Sequence, residues 1–271
     1  NEVSFECNPE SLTLEKAKLL RELGVTRLSI GVQSFNERIL KFYDRAHDAD
    51  RAVLAYGFAR EAGFDNVNLD LIFGAPDQTL EEWRNDLKRA IELQPDHIAA
   101  YDLLFEEGTS LWKWKNAGKA MPQTEETQAQ MYALTTKMLE SSGYERYETS
   151  NYAREGKYCQ HNINYWKNGS YIGVGAGAVS FVDGKRKKNP SRIDAYIEAM
   201  EKGGGIFEEE ETLSPKENLG ETIMMRLRLA NGVSRHEVRE QTGFDFFEVF
   251  AREIEKLLRE ELITLDPEHM R

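Results

Sequence analysis

The fold is set by Ala49-Asp50-Arg51-Ala52-Val53-Leu54-Ala55-Tyr56-Gly57-Phe58-Ala59-Arg60-Glu61-Ala62-Gly63-Phe64-Asp65-Asn66-Val67-Asn68-Leu69-Asp70-Leu71-Ile72-Phe73. Ala49 to Ala62 reads as a helix, Gly63 stops it, and Val67 to Phe73 follows as a strand. The same unit recurs on both sides. Leu12, Leu19, Leu20 and Leu23 give a helical face that ends at Gly24, and Thr26 to Gly31 reads as the next strand. Thr79-Leu80-Glu81-Glu82 has the capping-box pattern and opens a helix with Trp83, Leu87, Ala90 and Ile91 on one face. Pro95 ends that helix, and His97 to Phe105 reads as a strand. Gln123 to Ser142 is a further helix, and Gly143 leads into a strand from Tyr144 to Thr149. Helices alternating with strands predict parallel pairing through right-handed crossovers, as in an α/β barrel or a doubly wound sheet.

Composition bounds the class. A chain of 271 residues that is 40% hydrophobic can bury a large core with a smaller appendage. Its formal net charge of −12 repels phosphate backbones, and Lys185 to Lys188, the one basic run, reads as a solvated turn, so no nucleic-acid partner is expected. Cys7 and Cys159 are too few for a disulfide framework and form no C-x-x-C pair, which fits a reducing cytoplasm. No apolar run approaches the roughly 20 residues of a membrane span, so an integral membrane protein is not expected.

Polar residues at the strand ends separate the two α/β architectures. Glu6 ends a first strand that begins near Asn1, Gln33 follows the second, and Asp70 lies in the third before Phe73-Gly74-Ala75-Pro76. In a parallel barrel these ends share one mouth, so the three converge on a polar pocket; otherwise each caps the next helix. Four strands cannot close around a filled interior, and an open parallel sheet exposes unpaired backbone, so one or more βα units are expected to precede this chain.

Several motifs then carry a resemblance. Glu6-Cys7-Asn8-Pro9-Glu10, Arg27-Leu28-Ser29-Ile30-Gly31-Val32-Gln33-Ser34-Phe35, Asp70-Leu71-Ile72-Phe73-Gly74-Ala75-Pro76-x-Gln78-Thr79 and Gly173-x-Gly175-Ala176-Gly177-Ala178-x-Ser180 resemble the oxygen-independent coproporphyrinogen III oxidase family of radical S-adenosylmethionine (SAM) proteins. The resemblance implies an incomplete (β/α)6 TIM-like barrel, its N-terminal units missing from this sequence, with a [4Fe-4S] cluster and SAM at the open mouth. It places Glu6, Gln33, Arg45 and Asp70 on SAM-binding positions. Arg45 would suit the ligand carboxylate, while Glu6 and Asp70 would accept from ammonium or hydroxyl donors. On the residues alone, Arg45 reads as a surface ion pair with Asp44 or Asp48. The family's cluster cysteines and its Gly-Gly-Gly-Thr-Pro segment are not in this sequence, and Cys7 and Cys159 read as small buried hydrophobes.

The string His161-Asn162-Ile163-Asn164-Tyr165-Trp166 has two readings. Taken as a helix, it puts His161 and Tyr165 on one face and Asn162 and Trp166 on the next. This is either a satisfied histidine beside packing aromatics or a grip for a macrocycle, with imidazole as an iron ligand. The string resembles a feature of the heme chaperone branch of the family, which implies that His161, Asn162, Tyr165 and Trp166 hold heme, that His161 is a candidate iron ligand, and that heme passes to a membrane-bound or respiratory acceptor. The competing expectation is the oxidase itself, decarboxylating porphyrinogen propionates. The glycine run Gly173 to Gly177 has G-x-G-x-G spacing and leads into a strand and turn, so it is no dinucleotide loop; its glycines are expected to let backbone approach a cofactor or flat ligand.

Three segments are expected: a partial barrel over 1–150, a ligand-proximal extension over 151–211, and a winged-helix-like helical module over 212–271. In the last, Ser214 to Leu229, Ser234 to Gln241 and Phe246 to Arg259 read as helices and Leu262 to Leu265 as a strand. Ser191 to Glu201 reads as a short helix before the Gly203-Gly204-Gly205 break, and Glu208 to Glu211 as a solvated charge run. Glu237, Glu240, Asp245, Glu248, Glu253 and Glu255 give the module an acidic face that argues against DNA.

Overall fold

A computed structural model describes residues 1–271, which divide into two compact units, Asn1–Tyr158 and Cys159–Arg271. In the first unit β1 (Ser4–Cys7), α1 (Leu14–Glu22), β2 (Arg27–Gln33), α2 (Glu37–Phe42), α3 (Ala49–Glu61), β3 (Val67–Phe73), α4 (Leu80–Glu92) and β4 (His97–Asp102) follow the expected alternation, except that the short α2 was not expected and precedes α3 directly. Strands β1 to β4 pair in parallel in sequence order. After α5 (Ser110–Asn116) and α6 (Glu125–Ser141) the direction reverses. β5 (Glu145–Arg146) and β6 (Asn151–Ala153) are antiparallel, and β6 pairs with β4, so the six-stranded sheet is mixed. The single strand expected from Tyr144 to Thr149 is thus a two-residue strand that turns back on itself.

Each strand shows two faces. Leu28, Ile30 and Val32 of β2, Val67, Leu69, Leu71 and Phe73 of β3, and Ile98 and Ala100 of β4 are buried in one core with Trp83, Leu87, Ala55 and Ala59 of the helices. The alternate positions carry Arg27, Ser29 and Gln33, then Asn68 and Asp70, then His97 and Tyr101. This polar face is what a barrel-type sheet offers a ligand. Trp83 is fully buried and donates from Nε1 to Thr135 Oγ1 at 2.9 Å, joining α4 to α6. The capping box holds: Glu82 N–H donates to Thr79 Oγ1, and Thr79 N–H to Glu82 Oε2 at 2.8 Å. The expected leucine face of α1 holds only in part, with Leu20 packed against the core. Leu12 is buried before the helix begins, Ala17 is the helix's buried residue, and Leu19 and Leu23 are 53% and 71% exposed.

In the second unit α7 (Gln160–Trp166) precedes a three-stranded antiparallel sheet of β7 (Val179–Val182), β8 (Lys185–Lys188) and, after α8 (Ile193–Glu201), β9 (Glu209–Thr212). The basic run is therefore a central strand and not a turn. Lys188 pairs with Glu209 at 2.9 Å and Arg186 with Glu211 at 2.7 Å, so the basic and acidic runs neutralise each other across the sheet. Beyond them α9 (Pro215–Arg226), β10 (Val233–Ser234), α10 (Arg235–Thr242), α11 (Phe246–Val249), α12 (Ala251–Arg259) and β11 (His269–Met270) form a helical module around Leu219, Val233, Val238, Phe246, Ile254 and Met270. The expected strand at Leu262 to Leu265 reduces to one bridge, Leu265 to Met270; β10 pairs with β11 instead. The expected helix from Phe246 to Arg259 breaks at Phe250. The acidic face is also smaller than the sequence implies, because Glu237 is paired with Arg226 and Asp245 with Arg235.

Candidate functional site

The C-terminal ends of β1 to β3 build the first candidate site. Glu6 is exposed on β1 and aligned with Ser29 of β2, and its charge acts on Asp70. Gln33 ends β2 at φ 66, a left-handed conformation that turns its side chain back over the strand; a Cβ on Gly31 would lie 2.8 Å from Gln33 Nε2 and 3.2 Å from Asn8 Oδ1. The strained turn is held from outside the sheet. Asp86 of α4, buried, accepts from Ser34 Oγ at 2.6 Å and from Phe35 N–H at 2.8 Å. Burial pushes this carboxyl up to about 6 despite both donors.

Asp70 is partly buried and accepts one hydrogen bond on each oxygen, from Ser29 and Asn68. Burial raises its pKa, and those two donors oppose the rise. Two lone pairs of the carboxylate stay open to further donors. Gly74, at φ 85, leaves room for Asp102; a Cβ there would lie 2.7 Å from Asp102 Oδ1.

Arg45 lies between α2 and α3. It makes no ion pair with Asp44 or Asp48. Asp48 instead caps α3 by accepting from Arg51 N–H at 2.8 Å, and Arg45 Nε is buried without a hydrogen-bond partner. An unpartnered guanidinium N–H of this kind suits a carboxylate ligand. The loop is anchored by His47, whose Nε2 donates to the Val32 carbonyl at 3.0 Å and whose Nδ1 lies 3.2 Å from Glu10 Oε2. Sequence reasoning missed His47, Asp86, Asn68 and His97. For Asn68 and His97 the only advance signal was the even spacing of polar residues along otherwise apolar strands; His47, in a loop, and Asp86, on α4, gave none.

No three His, Cys, Asp or Glu side chains are grouped to hold a metal ion. Burial, then the carboxylates Asp70, Glu10 and Glu6, push the Cys7 thiol up to about 12, and Cys159 is buried at the N-terminus of α7. Neither suits a thiolate ligand, so the residues of this chain do not fit a cluster.

The second candidate site is α7. His161 and Tyr165 meet edge to face at 4.6 Å between ring centroids, and Tyr165 meets Tyr171 in the same way at 4.6 Å. Trp166 has the Arg228 guanidinium 4.6 Å over its ring, and its buried Nε1 has no hydrogen-bond partner. Asn162 is half-buried on that neighbouring face. Nearby in sequence, Ile172 and Val174 are 80% and 84% exposed. The glycine run is shaped by its own chain: a Cβ on Gly173 would collide with the Val179 backbone, and Asn189 Nδ2 donates to the Gly175 carbonyl at 2.9 Å. At Gly173 the close approach is therefore backbone on backbone, which corrects the expectation of a ligand there.

A relative in Bacillus subtilis strain 168, the heme chaperone HemW, is 33% identical over 263 residues, which cover 97% of this chain and 69% of the relative. The chain belongs to the HemW heme chaperone family. Heme chaperone HemW of Escherichia coli K12 is 36% identical over 249 residues, covering 89% of this chain and 63% of the relative. The radical SAM superfamily profile matches residues 1–90, and the HemN C-terminal domain profile matches residues 213–271. Among solved structures, coproporphyrinogen III oxidase (HemN) from E. coli, a radical SAM enzyme, superposes with a TM-score of 0.83 over 100% of this chain and 65% of its own, at 22% identity. That likeness shows the fold. The resemblance read from the motifs, and the α/β radical SAM architecture it implied, both hold.

Proposed function

We propose that this chain binds heme on α7 and delivers it to a membrane-bound or respiratory acceptor, and that its polar strand ends bind SAM. Imidazole from His161 supplies an iron ligand. Tyr165 and Trp166 offer aromatic surface to the macrocycle, and Asn162 offers a polar contact at its edge. The single observation that carries the reading is the edge-to-face series that runs from His161 and Tyr165 of α7 to Tyr171, which lies beyond the helix in a stretch of chain that exposes Ile172 and Val174. An exposed imidazole in an aromatic series, on a segment that also exposes large apolar side chains, suits a flat, apolar, iron-containing ligand better than it suits a core.

At the other site, the unpartnered Arg45 Nε would take the ligand carboxylate, Asp70 and Glu6 would accept from hydroxyl or ammonium groups, and Gln33 would serve as donor or acceptor. A [4Fe-4S] cluster finds no ligand set among the residues of this chain, and no step is assigned to it. No helix of the chain is long and apolar enough to cross a membrane.

The test is spectroscopic titration of the full-length protein with heme, beside an anaerobic assay with coproporphyrinogen III. The reading expects a saturable Soret shift that His161→Ala weakens, and little decarboxylation. Turnover at an ordinary enzymatic rate, or an unchanged spectrum and affinity in His161→Ala, would refute it.

A further inference from the structure

Behind Asp70 a chain of side-chain hydrogen bonds crosses three strands. Ser29 Oγ donates to Asp70 Oδ2 at 2.9 Å. Asn68 Nδ2 donates to Ser29 Oγ at 2.6 Å and to Asp70 Oδ1 at 2.8 Å, which uses both of its amide hydrogens. Asn68 Oδ1 lies 2.6 Å from His97 Nδ1 and can only accept, so Nδ1 carries the ring proton. Burial, and after it the charge of Arg27, hold the imidazole well below its ordinary pKa. The ring is therefore neutral, its Nε2 is an acceptor, and Tyr147 Oη at 2.8 Å donates to it. All the donors run one way, from Tyr147 through His97 and Asn68 to Ser29 and Asp70.

This direction is not what satisfied core packing requires. His97, Asn68 and Ser29 are 0%, 1% and 5% exposed on a face where apolar residues would cost nothing to bury. Arg27, 4% exposed on the same face, acts on Asp70 through its charge yet makes no ion pair with it, and its Nε has no partner. The cation that would fill Asp70's open lone pairs is thus held off. We propose that Ser29, Asn68 and His97 are positioning residues that hold Asp70 as an acceptor-only carboxylate for the hydroxyl or ammonium groups of a nucleoside ligand, with Tyr147 fixing the tautomer that makes this possible. The proposal rests on the reading of Asp70 as a ligand contact. The other ionisable groups facing Asp70 are Glu6 and Cys7 of β1, Arg27 of β2 and Tyr101 of β4, and all stay in place in the variants below.

The experiment uses full-length protein and three readouts: the 15N tautomer signature of His97, the carboxyl 13C titration of Asp70, and calorimetric binding of S-adenosylhomocysteine, with melting curves to confirm folding. Wild type should show His97 neutral with the proton on Nδ1; a proton on Nε2 overturns the proposal without any variant. His97→Phe should raise the Asp70 midpoint and weaken binding about tenfold, the loss expected for a polar contact left unmade. His97→Gln, which can still donate to Asn68 and accept from Tyr147, should restore both. Ser29→Ala, a small change that removes the Oδ2 donor, should act in the same direction even if His97→Phe does not fold. Folded variants with an unchanged Asp70 midpoint overturn the positioning role. Unchanged binding in Asp70→Ala overturns the ligand reading of Asp70, and with it this proposal's purpose, whatever the midpoint does.

Discussion

Asp86 should make the first unit less stable as pH rises, and Asp86→Asn should remove that dependence. The carboxyl is 2% exposed and bonded to Ser34 and Phe35, yet burial outweighs both bonds and raises its pKa from the ordinary 3.8 to about 6. A group whose folded-state pKa lies above its unfolded one favours folding while protonated. Its contribution is complete below the unfolded pKa and is lost as pH climbs through the folded one. A rise of this size corresponds to ~3 kcal/mol in all, of which ~2 kcal/mol falls between about pH 4.5 and 7.5. Asparagine keeps an acceptor for the Phe35 N–H and carries no charge at any pH. Urea melts of both proteins across that range, taken as the difference, cancel every other titrating group. The difference should move ~2 kcal/mol in favour of Asp86→Asn as pH rises. A flat difference, or one of opposite sign, would refute the reasoning.

Three further outcomes follow from packing and caps. Trp83→Ala, which empties a fully buried site and removes the indole donor to Thr135 Oγ1, should cost roughly 3–5 kcal/mol in urea unfolding of the first unit. Thr79→Ala removes one half of the capping box and should cost ~1 kcal/mol, without changing the m-value. Gly232→Ala should destabilise the second unit by at least ~1 kcal/mol, seen as a lower melting temperature, because Gly232 sits at φ 74 and a Cβ would collide with the Met270 carbonyl.

Local chemistry was legible and long-range pairing was not. Val67–Phe73, the helix from Ala49 and the capping box at Thr79 were readable because periodicity, a glycine stop and a cap are written into adjacent residues. Lys185 to Lys188 looked like a turn because nothing local shows that Glu209–Thr212 will lie beside it and neutralise it. The same holds for Val233 pairing with Met270 across 37 positions, and for β6 reversing onto β4. Leu19 and Leu23 satisfy a helical stripe on paper, but Ala17 takes the packed position in α1. At the candidate sites, the residues named in advance were those that end a strand or sit in a motif. Asn68 and His97 were hidden because a polar residue inside an apolar strand reads as noise until register aligns it with its neighbours.

The central claim is that His161 presents an imidazole to heme iron from α7. Low-temperature EPR and ENDOR of the ferric heme complex, with 15N-labelled histidine in otherwise unlabelled full-length protein, tests it most directly. Imidazole nitrogen coupling should be present in wild type and lost in His161→Ala while bound heme is still detectable. The same coupling persisting in His161→Ala would contradict the claim.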